Sequence, residues 1–324
     1  MKTNAIRINN YGGPEVLEYC EVELPELEEN EARIKHTAIG LNFIDTYHRS
    51  GLYPMDLPAG LGSEAAGIVE AIGNDVTSVK VGDRVVYTGR PPDSYSEKRN
   101  FDAAQLVVIP DKIKDEQAAA IFLKGLTAWY LLRKSYKVQS GDDVLLYAAA
   151  GGVGLIACQW AKHLGARVIG VVSNDEKAML AKSNGCDDII LSDENIPERV
   201  KELTDSIGVG VVYDSVGRDT FFSSLDSLKP HGFLVTFGNA SGPVDPFAPA
   251  ELAKRHSLYV TRPILADFIS ERENLVEASN ELFDLVSSGV IKISINQRYP
   301  LKDTRQAHID LESRKTTGST ILIP

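Results

Sequence analysis

From residue 4 to about 110 the chain alternates short apolar runs with Gly, Pro and Asp, as in AIRI, ARIKHTAIGL, AAGIVEAIG, DRVVYTG and AQLVVIP. Runs of this length and spacing predict strands, and their texture predicts a compact, largely antiparallel barrel. The pattern changes at DEQAAAIFLKGLTAWYLLRK, where apolar residues take helical spacing. From about residue 143, VLLYA, ARVIGVV, CDDIILS, GVVYDSV and GFLVTFG are separated by helical stretches. Such alternation predicts a parallel sheet covered on both faces. RENLVEASNELFDLVSSG predicts an amphipathic helix ended by Gly289, after which IKISINQRYPL and STILIP return to strand texture. The chain therefore reads as α/β, with a first domain that is left and re-entered around an inserted one.

One junction in the alternating region is poor in side chains. VLLYAAAGGVG, residues 144–154, joins a buried strand to a helix, and Ala149, Gly151 and Gly154 take the three small positions of the dinucleotide fingerprint. A tight turn that binds nothing has the same glycines. The residues downstream favour the dinucleotide: a second apolar strand, Arg167 to Val172, leads into SNDEK, which puts Ser173 at the distance from Gly151 where a residue meets the adenosine ribose. The backbone N–H groups of Gly151, Gly152 and Val153 would then face a diphosphate at the helix N-terminus. An NAD-type site carries Asp or Glu at the position of Ser173. With Ser173, Asn174 and, one helical turn on, Lys177, the loop points to NADPH over NADH. Asp175 and Glu176 weigh the other way unless Asp175 caps the next helix.

Composition narrows the class. With 324 residues and 43% apolar content the chain can build two cores. Thirty-four basic against 45 acidic side chains leave a net charge of −11 and no basic block, which speaks against nucleic acid and anionic membranes as partners. No apolar run reaches the length of a membrane span, and MKTNAIRINN lacks a signal-peptide core, so a cytoplasmic location is expected. Cys20, Cys158 and Cys186 are scattered and form no CxxC pair.

Several longer stretches carry a resemblance: GGPEVL (12–17), GLNFIDTYHRSGLYP (40–54), LPAGLGSEAAG (57–67), AGGVG (150–154), YDSVG (213–217) and the terminal LESRKTTGSTILIP. Over essentially its full length the sequence resembles the zeta-crystallin-like quinone oxidoreductases, the zinc-independent branch of the medium-chain dehydrogenase/reductase superfamily. The resemblance implies a GroES-like catalytic domain over 1–124 and 266–324, a Rossmann NADPH-binding domain over 125–265, NADPH in the cleft between them, and a homodimer. Related alcohol dehydrogenases place a Cys and a His zinc ligand in the segments aligned with NFID and GLGSE. Here Asn42 and Ser63 stand there, and neither an amide nor a neutral hydroxyl makes a tight zinc site. No metal is expected.

By the same resemblance Asn42, Phe43, Asp45, Thr46 and Tyr47 lie beside nicotinamide and ribose, with Thr127 and Tyr130 lining the cofactor cleft. Val216, Gly217, Phe237, Gly238, Asn239, Ser241, Arg262, Pro263 and Arg314 are further cofactor contacts, and Ser192 takes a place where the family often has a tyrosine near the phosphate. For Asp214 a structural role is expected. Tyr47 and Tyr53 are candidates for the acceptor pocket, since a phenol offers a flat face to a ring and a hydroxyl to a carbonyl. The implied function is NADPH-dependent quinone reduction. Reduction of an activated alkene, such as an enone or 2-alkenal, is the alternative, and a non-catalytic crystallin-like or RNA-binding role is a third, disfavoured for RNA by the acidic balance.

Overall fold

The computed structural model describes all 324 residues. The chain divides into two compact units, Met1–Lys124 with Ile269–Ser288 and Ile293–Pro324, and Gly125–Phe268 with Gly289–Lys292.

In the first unit β1 (Lys2–Ile8) and β2 (Glu18–Glu23) form an antiparallel pair, and β3 (Glu31–Leu41) leads through Asn42 into α1 (Phe43–Ser50). Then come β4 (Ala59–Gly60), β5 (Glu64–Ile72), β6 (Arg84–Thr88), β7 (Lys98–Asp102) and β8 (Val107–Val108). On β3 the period-two pattern turns Ala32, Ile34 and His36 inward and leaves Lys35 in solvent. α2 (Asp115–Tyr130) carries the chain onward and loosens into a π-turn over Leu131–Ser135.

The second unit runs β9 (Asp143–Tyr147), α3 (Gly152–His163), β10 (Arg167–Val172), α4 (Asp175–Ser183), β11 (Asp188–Leu191), α5 (Ile196–Leu203), β12 (Val209–Asp214), α6 (Phe221–Asp226), β13 (Leu228–Thr236), α7 (Ala250–Lys254), β14 (Tyr259–Thr261) and α8 (Leu265–Phe268). Its six strands are parallel in the order β11-β10-β9-β12-β13-β14. β12 is buried at every position, as a strand covered on both faces must be. The strand order reverses between β9 and β12, and in open parallel sheets the carboxyl ends at such a switch point are where ligands bind.

The chain then completes the first unit with α9 (Arg272–Ser287), β15 (Ile295–Pro300), α10 (Thr304–Glu312) and β16 (Ser319–Ile323). The barrel that the sequence predicts is built from two sheets, joined where residues 95–97 bond to β1 on one side and to β3 on the other. One is three-stranded, β2-β1-β4, and the other is seven-stranded, β15-β16-β3-β5-β6-β8 with β7 also paired to β3. Most pairs are antiparallel, as expected, but β15 and β16 run parallel. Periodicity identifies strands; it does not name their partners. Both sheets share one core, to which Ile6, Ile34, Val69, Val85 and Leu322 contribute.

Candidate functional site

In the second unit the glycine turn lies between β9 and α3. Gly151 is the helix N-cap and has no side chain to cap with, so the first-turn N–H groups stay open to an anion. The turn is tightly built. Ala148 takes φ +53°, and a Cβ on Gly154 would stand 2.3 Å from the Ala148 carbonyl oxygen. At the end of β10, Lys177 Nζ lies 3.3 Å from Ser173 Oγ, so the two residues that suggest a 2′-phosphate are adjacent in space. Asn174, rather than Asp175, caps α4, its Oδ1 accepting the Lys177 N–H at 2.9 Å. The exposed Asp175 carboxylate is in the first helical turn, where the dipole favours it. Ser192 is exposed just beyond β11.

The loops after β12 and β13 interlace. Asp214, fully buried, accepts from the N–H groups of Val216 and Gly217 at 2.7 and 3.1 Å and from the hydroxyls of Thr220 and Ser224 at 2.7 and 2.8 Å. This is the structural role expected of it. Ser241 Oγ donates to the Val216 carbonyl at 2.9 Å, and Gly238 packs so closely on Ser215 that a Cβ there would stand 2.2 Å from its carbonyl oxygen. Phe237 and Asn239 flank Gly238, and Arg262 donates to the Thr236 carbonyl at 3.1 Å just before Pro263. Thr127 and Tyr130 are buried on α2, with the Tyr130 ring stacked on Phe268 at 5.0 Å.

In the first unit α1 starts at Asn42, and its N-terminus is the centre of a buried polar network. Asp45 Oδ2 accepts the Asn42 N–H at 2.9 Å and the Tyr95 hydroxyl at 2.8 Å, while Oδ1 accepts Ser63 Oγ at 2.7 Å. Tyr95 is followed by His308 Nε2 at 3.2 Å, and Arg49 Nη1 reaches His308 Nδ1 at 2.9 Å. Because arginine can only donate, Nδ1 is the acceptor and the neutral ring carries its hydrogen on Nε2. The donors therefore run one way, Arg49 to His308 to Tyr95 to Asp45. Burial and the neighbouring Arg49 hold His308 down to about 3. Burial pushes Asp45 up to about 6, against the pull of the hydrogen bonds from Ser63, Asn42 and Tyr95.

A second carboxylate, Glu64 on β5, is fully buried and accepts Asn42 Nδ2 at 2.8 Å, Lys124 Nζ at 3.1 Å and the Leu123 N–H at 2.6 Å. Gly40 makes room for it, since a Cβ at that position would stand 2.1 Å from Glu64 Oε1. Thr46 spends its hydroxyl on the Phe43 carbonyl at 2.7 Å. Rings of Phe43, Tyr47 and Tyr53 succeed one another edge to face, with centroids 5.6 and 5.3 Å apart. Arg314 is exposed after α10 with φ +59°.

The two positions that hold zinc ligands in alcohol dehydrogenases are thus hydrogen donors turned onto carboxylates. No group of three His, Cys, Asp or Glu side chains is arranged to hold a metal ion. The donor set does not fit zinc, and the reaction has no step through it.

Sequence reasoning passed over Glu64, Lys124, Tyr95, Arg49 and His308. Two of them carried a local signal, since Glu64 lies among small apolar residues in GSEAAG and Lys124 interrupts the apolar run of AAAIFLKGL. Ionisable groups in such surroundings are buried as pairs or not at all.

A family model for the zinc-binding dehydrogenases matches residues 152–281, and one for the alcohol dehydrogenase GroES-like domain matches residues 28–113. These define the class as a two-part dehydrogenase or reductase. The chain is 54% identical to a quinone oxidoreductase of Salmonella typhimurium, over 98% of this chain and 99% of that protein. The crystal structure of Escherichia coli quinone oxidoreductase complexed with NADPH superposes with a TM-score of 0.97 at 52% identity, covering 99% of this chain and all of that one. A 2-haloacrylate reductase from a Burkholderia species is 43% identical over 98% of each chain. The chain belongs to the quinone oxidoreductase family of the medium-chain dehydrogenases and reductases.

Proposed function

We propose that the protein is an NADPH-dependent quinone oxidoreductase that works without a metal. The observation that carries the reading is the engagement of Asn42 and Ser63 with Glu64 and Asp45. Without a Lewis acid to polarise an alcohol or an unactivated carbonyl, the acceptor must itself be electrophilic, as a quinone is. When bound, NADPH supplies a hydride, and the hydroquinone takes its other hydrogen as a proton from water.

The chain's part is to hold and orient. In the second unit Gly152 and Val153 offer N–H groups to the diphosphate, whereas the Gly151 N–H, expected to join them, is given to the Ala148 carbonyl at 2.8 Å and closes the turn; Ser173 and Lys177 take the 2′-phosphate, and Val216, Gly217, Gly238, Asn239 and Ser241 form the wall at the sheet's carboxyl edge. In the first unit the Asn42 amide is fixed by Glu64, and Tyr47 and Tyr53 present aromatic faces to the acceptor. Asp45 is enclosed and holds three donors of its own unit, so it positions α1 and takes no proton from the reaction. Domain limits at 1–124 with 266–324 and 125–265 result from assigning these parts.

Reduction of an activated alkene is the second reading, favoured by the 2-haloacrylate reductase among the relatives. Oxidation of NADPH followed at 340 nm with a quinone panel, an alkenal panel and no acceptor decides between them. The quinone reading fails if only alkenals are turned over. The location proposed is the cytoplasm, as expected from the sequence; no helix is long and apolar enough to cross a membrane. A homodimer is supported by β14, which ends the six-stranded sheet with an open edge where Tyr259 is 52% exposed. A monomer by light scattering at micromolar concentration would overturn that part.

A further inference from the structure

Two of the three cysteines meet in the second unit, behind the glycine turn. Cys158 lies in the second turn of α3 and Cys186 in the loop between α4 and β11, and their Sγ atoms are 3.2 Å apart. That is inside the ordinary contact distance of two sulfurs, and the thiols share a hydrogen. The backbones are close as well. Gly185 packs against α3 with φ +107°, where a Cβ would stand 3.0 Å from the Cys158 carbonyl oxygen. Cys158 is fully buried, while Cys186, between half-buried Gly185 and exposed Asp187, keeps 6% of its surface in solvent. Neither thiol has a part in holding the cofactor or the acceptor.

The pair touches the turn directly. Cys158 Sγ lies 3.9 Å from the carbonyl oxygen of Ala149, the first small position of the dinucleotide fingerprint. On β10, a Cβ at Gly170 would stand 2.7 Å from Cys186 Sγ and 2.8 Å from the Ala149 Cβ, so Cys186 and Ala149 close on the space that this glycine leaves.

We propose that Cys158 and Cys186 are a site of reversible oxidation, closed to a disulfide by a peroxide, and that the closed pair loosens the turn's hold on the dinucleotide. The less buried Cys186 sulfur attacks one oxygen of hydrogen peroxide, giving a sulfenic acid and water. Cys158 then displaces the hydroxyl as a second water, so two thiols and one hydrogen peroxide become one disulfide and two waters. A dithiol reductant reverses the change and is itself oxidised to a disulfide. An S–S bond of about 2.05 Å requires the two sulfurs, now 3.2 Å apart, to close by about 1 Å. Gly185 already abuts the Cys158 backbone, so the loop has no room to advance. The shift falls on α3 and on the turn whose Ala149 carbonyl rests against Cys158. The effect on affinity rests on the dinucleotide reading of the turn, whereas the oxidation rests on the sulfur geometry alone.

The test uses a Cys20→Ser background, so that no other thiol reacts. Equimolar hydrogen peroxide should lower the intact mass by two hydrogens, with peptide mapping placing the bond between residues 158 and 186. Fluorescence titration should then find NADPH bound about tenfold more weakly, equivalent to 1.4 kcal/mol, and dithiothreitol should restore it. Cys186→Ala in the same background should bind NADPH equally before and after peroxide, which separates the disulfide from oxidation of methionine. If the reduced protein does not bind NADPH, the cofactor reading fails, yet a mapped bond between Cys158 and Cys186 still supports the site of oxidation. A protein that keeps both thiols under peroxide, or a disulfide form that binds NADPH as tightly as the reduced one, overturns the proposal.

Discussion

Lys177→Ala should separate the two nicotinamide cofactors. The Lys177 ammonium is held beside Ser173 Oγ at 3.3 Å, at the end of β10 where a ribose 2′-substituent is met. Two unit charges about 4 Å apart attract by roughly 1 kcal/mol in water and roughly 4 kcal/mol at the effective dielectric of a protein surface. The side chain is half-buried, so the contact falls between these limits, and about 1.5 to 3 kcal/mol is the ordinary range for a hydrogen bond to a charged group. Removing it should weaken NADPH about 10- to 150-fold. NADH has no such phosphate and should be nearly unaffected. Fluorescence titration of both cofactors, at two salt concentrations, reads the difference, and the NADPH penalty should shrink as salt rises. Equal weakening of NADPH and NADH would refute the reasoning, because Lys177 would then be supporting the loop through its neighbours rather than reading the phosphate.

Acid should destabilise the protein over a defined window. His36 and His48 are held at about 4 and His308 at about 3, all below their ordinary 6.5, so the unfolded chain binds protons that the folded chain refuses, and stability is lost as pH falls below 6.5. Asp45, raised from 3.8 to about 6, opposes one of the three, and the balance is roughly 2.5 kcal/mol per pH unit near pH 5. A urea midpoint that does not move between pH 7 and pH 5 would contradict this. Lys124→Met leaves the buried Glu64 carboxylate without its cation and should cost about 3 to 5 kcal/mol of unfolding free energy, part of it restored by adding Glu64→Gln, which removes the charge and keeps an acceptor for Asn42 and the Leu123 N–H; a melting temperature unchanged in the single variant would show the pair to be idle. The purified protein should carry no stoichiometric zinc and keep its activity with a chelator, and one tightly bound zinc per chain by metal analysis would overturn the reading of Asn42 and Ser63.

Local chemistry made half of this molecule legible. The glycine turn, the strand at Arg167–Val172, Lys177 one turn beyond Ser173 and the zinc-incompatible Asn42 and Ser63 are all short-range signals, and each is found within a few residues of where the sequence puts it. The buried network was not legible, because its members come from distant parts of the chain: Tyr95 and His308 are 213 residues apart, and Arg49 and Glu312 are 263 apart. Nothing in a window of ten or twenty residues records such a meeting. The same limit explains why the division of the barrel into two sheets was not legible, and the cap of α4, for which the sequence offered Asp175, falls on Asn174 for a smaller reason, since Asn and Asp cap equally well and the choice between neighbours depends on backbone angles.

The place of β16 has a consequence for how the chain is made. This strand is the last in the chain, yet it lies inside the seven-stranded sheet, paired with β15 on one side and β3 on the other. On a ribosome, β3 waits for a neighbour that is translated almost 280 residues later by the numbering of the two strands. The second unit, contiguous but for four residues, is free to fold well before that. Until β16 arrives, the earlier strands hold an open, apolar edge where it will go. The interval between synthesis of β3 and arrival of β16 is therefore when this protein is most exposed to aggregation and most in need of a chaperone.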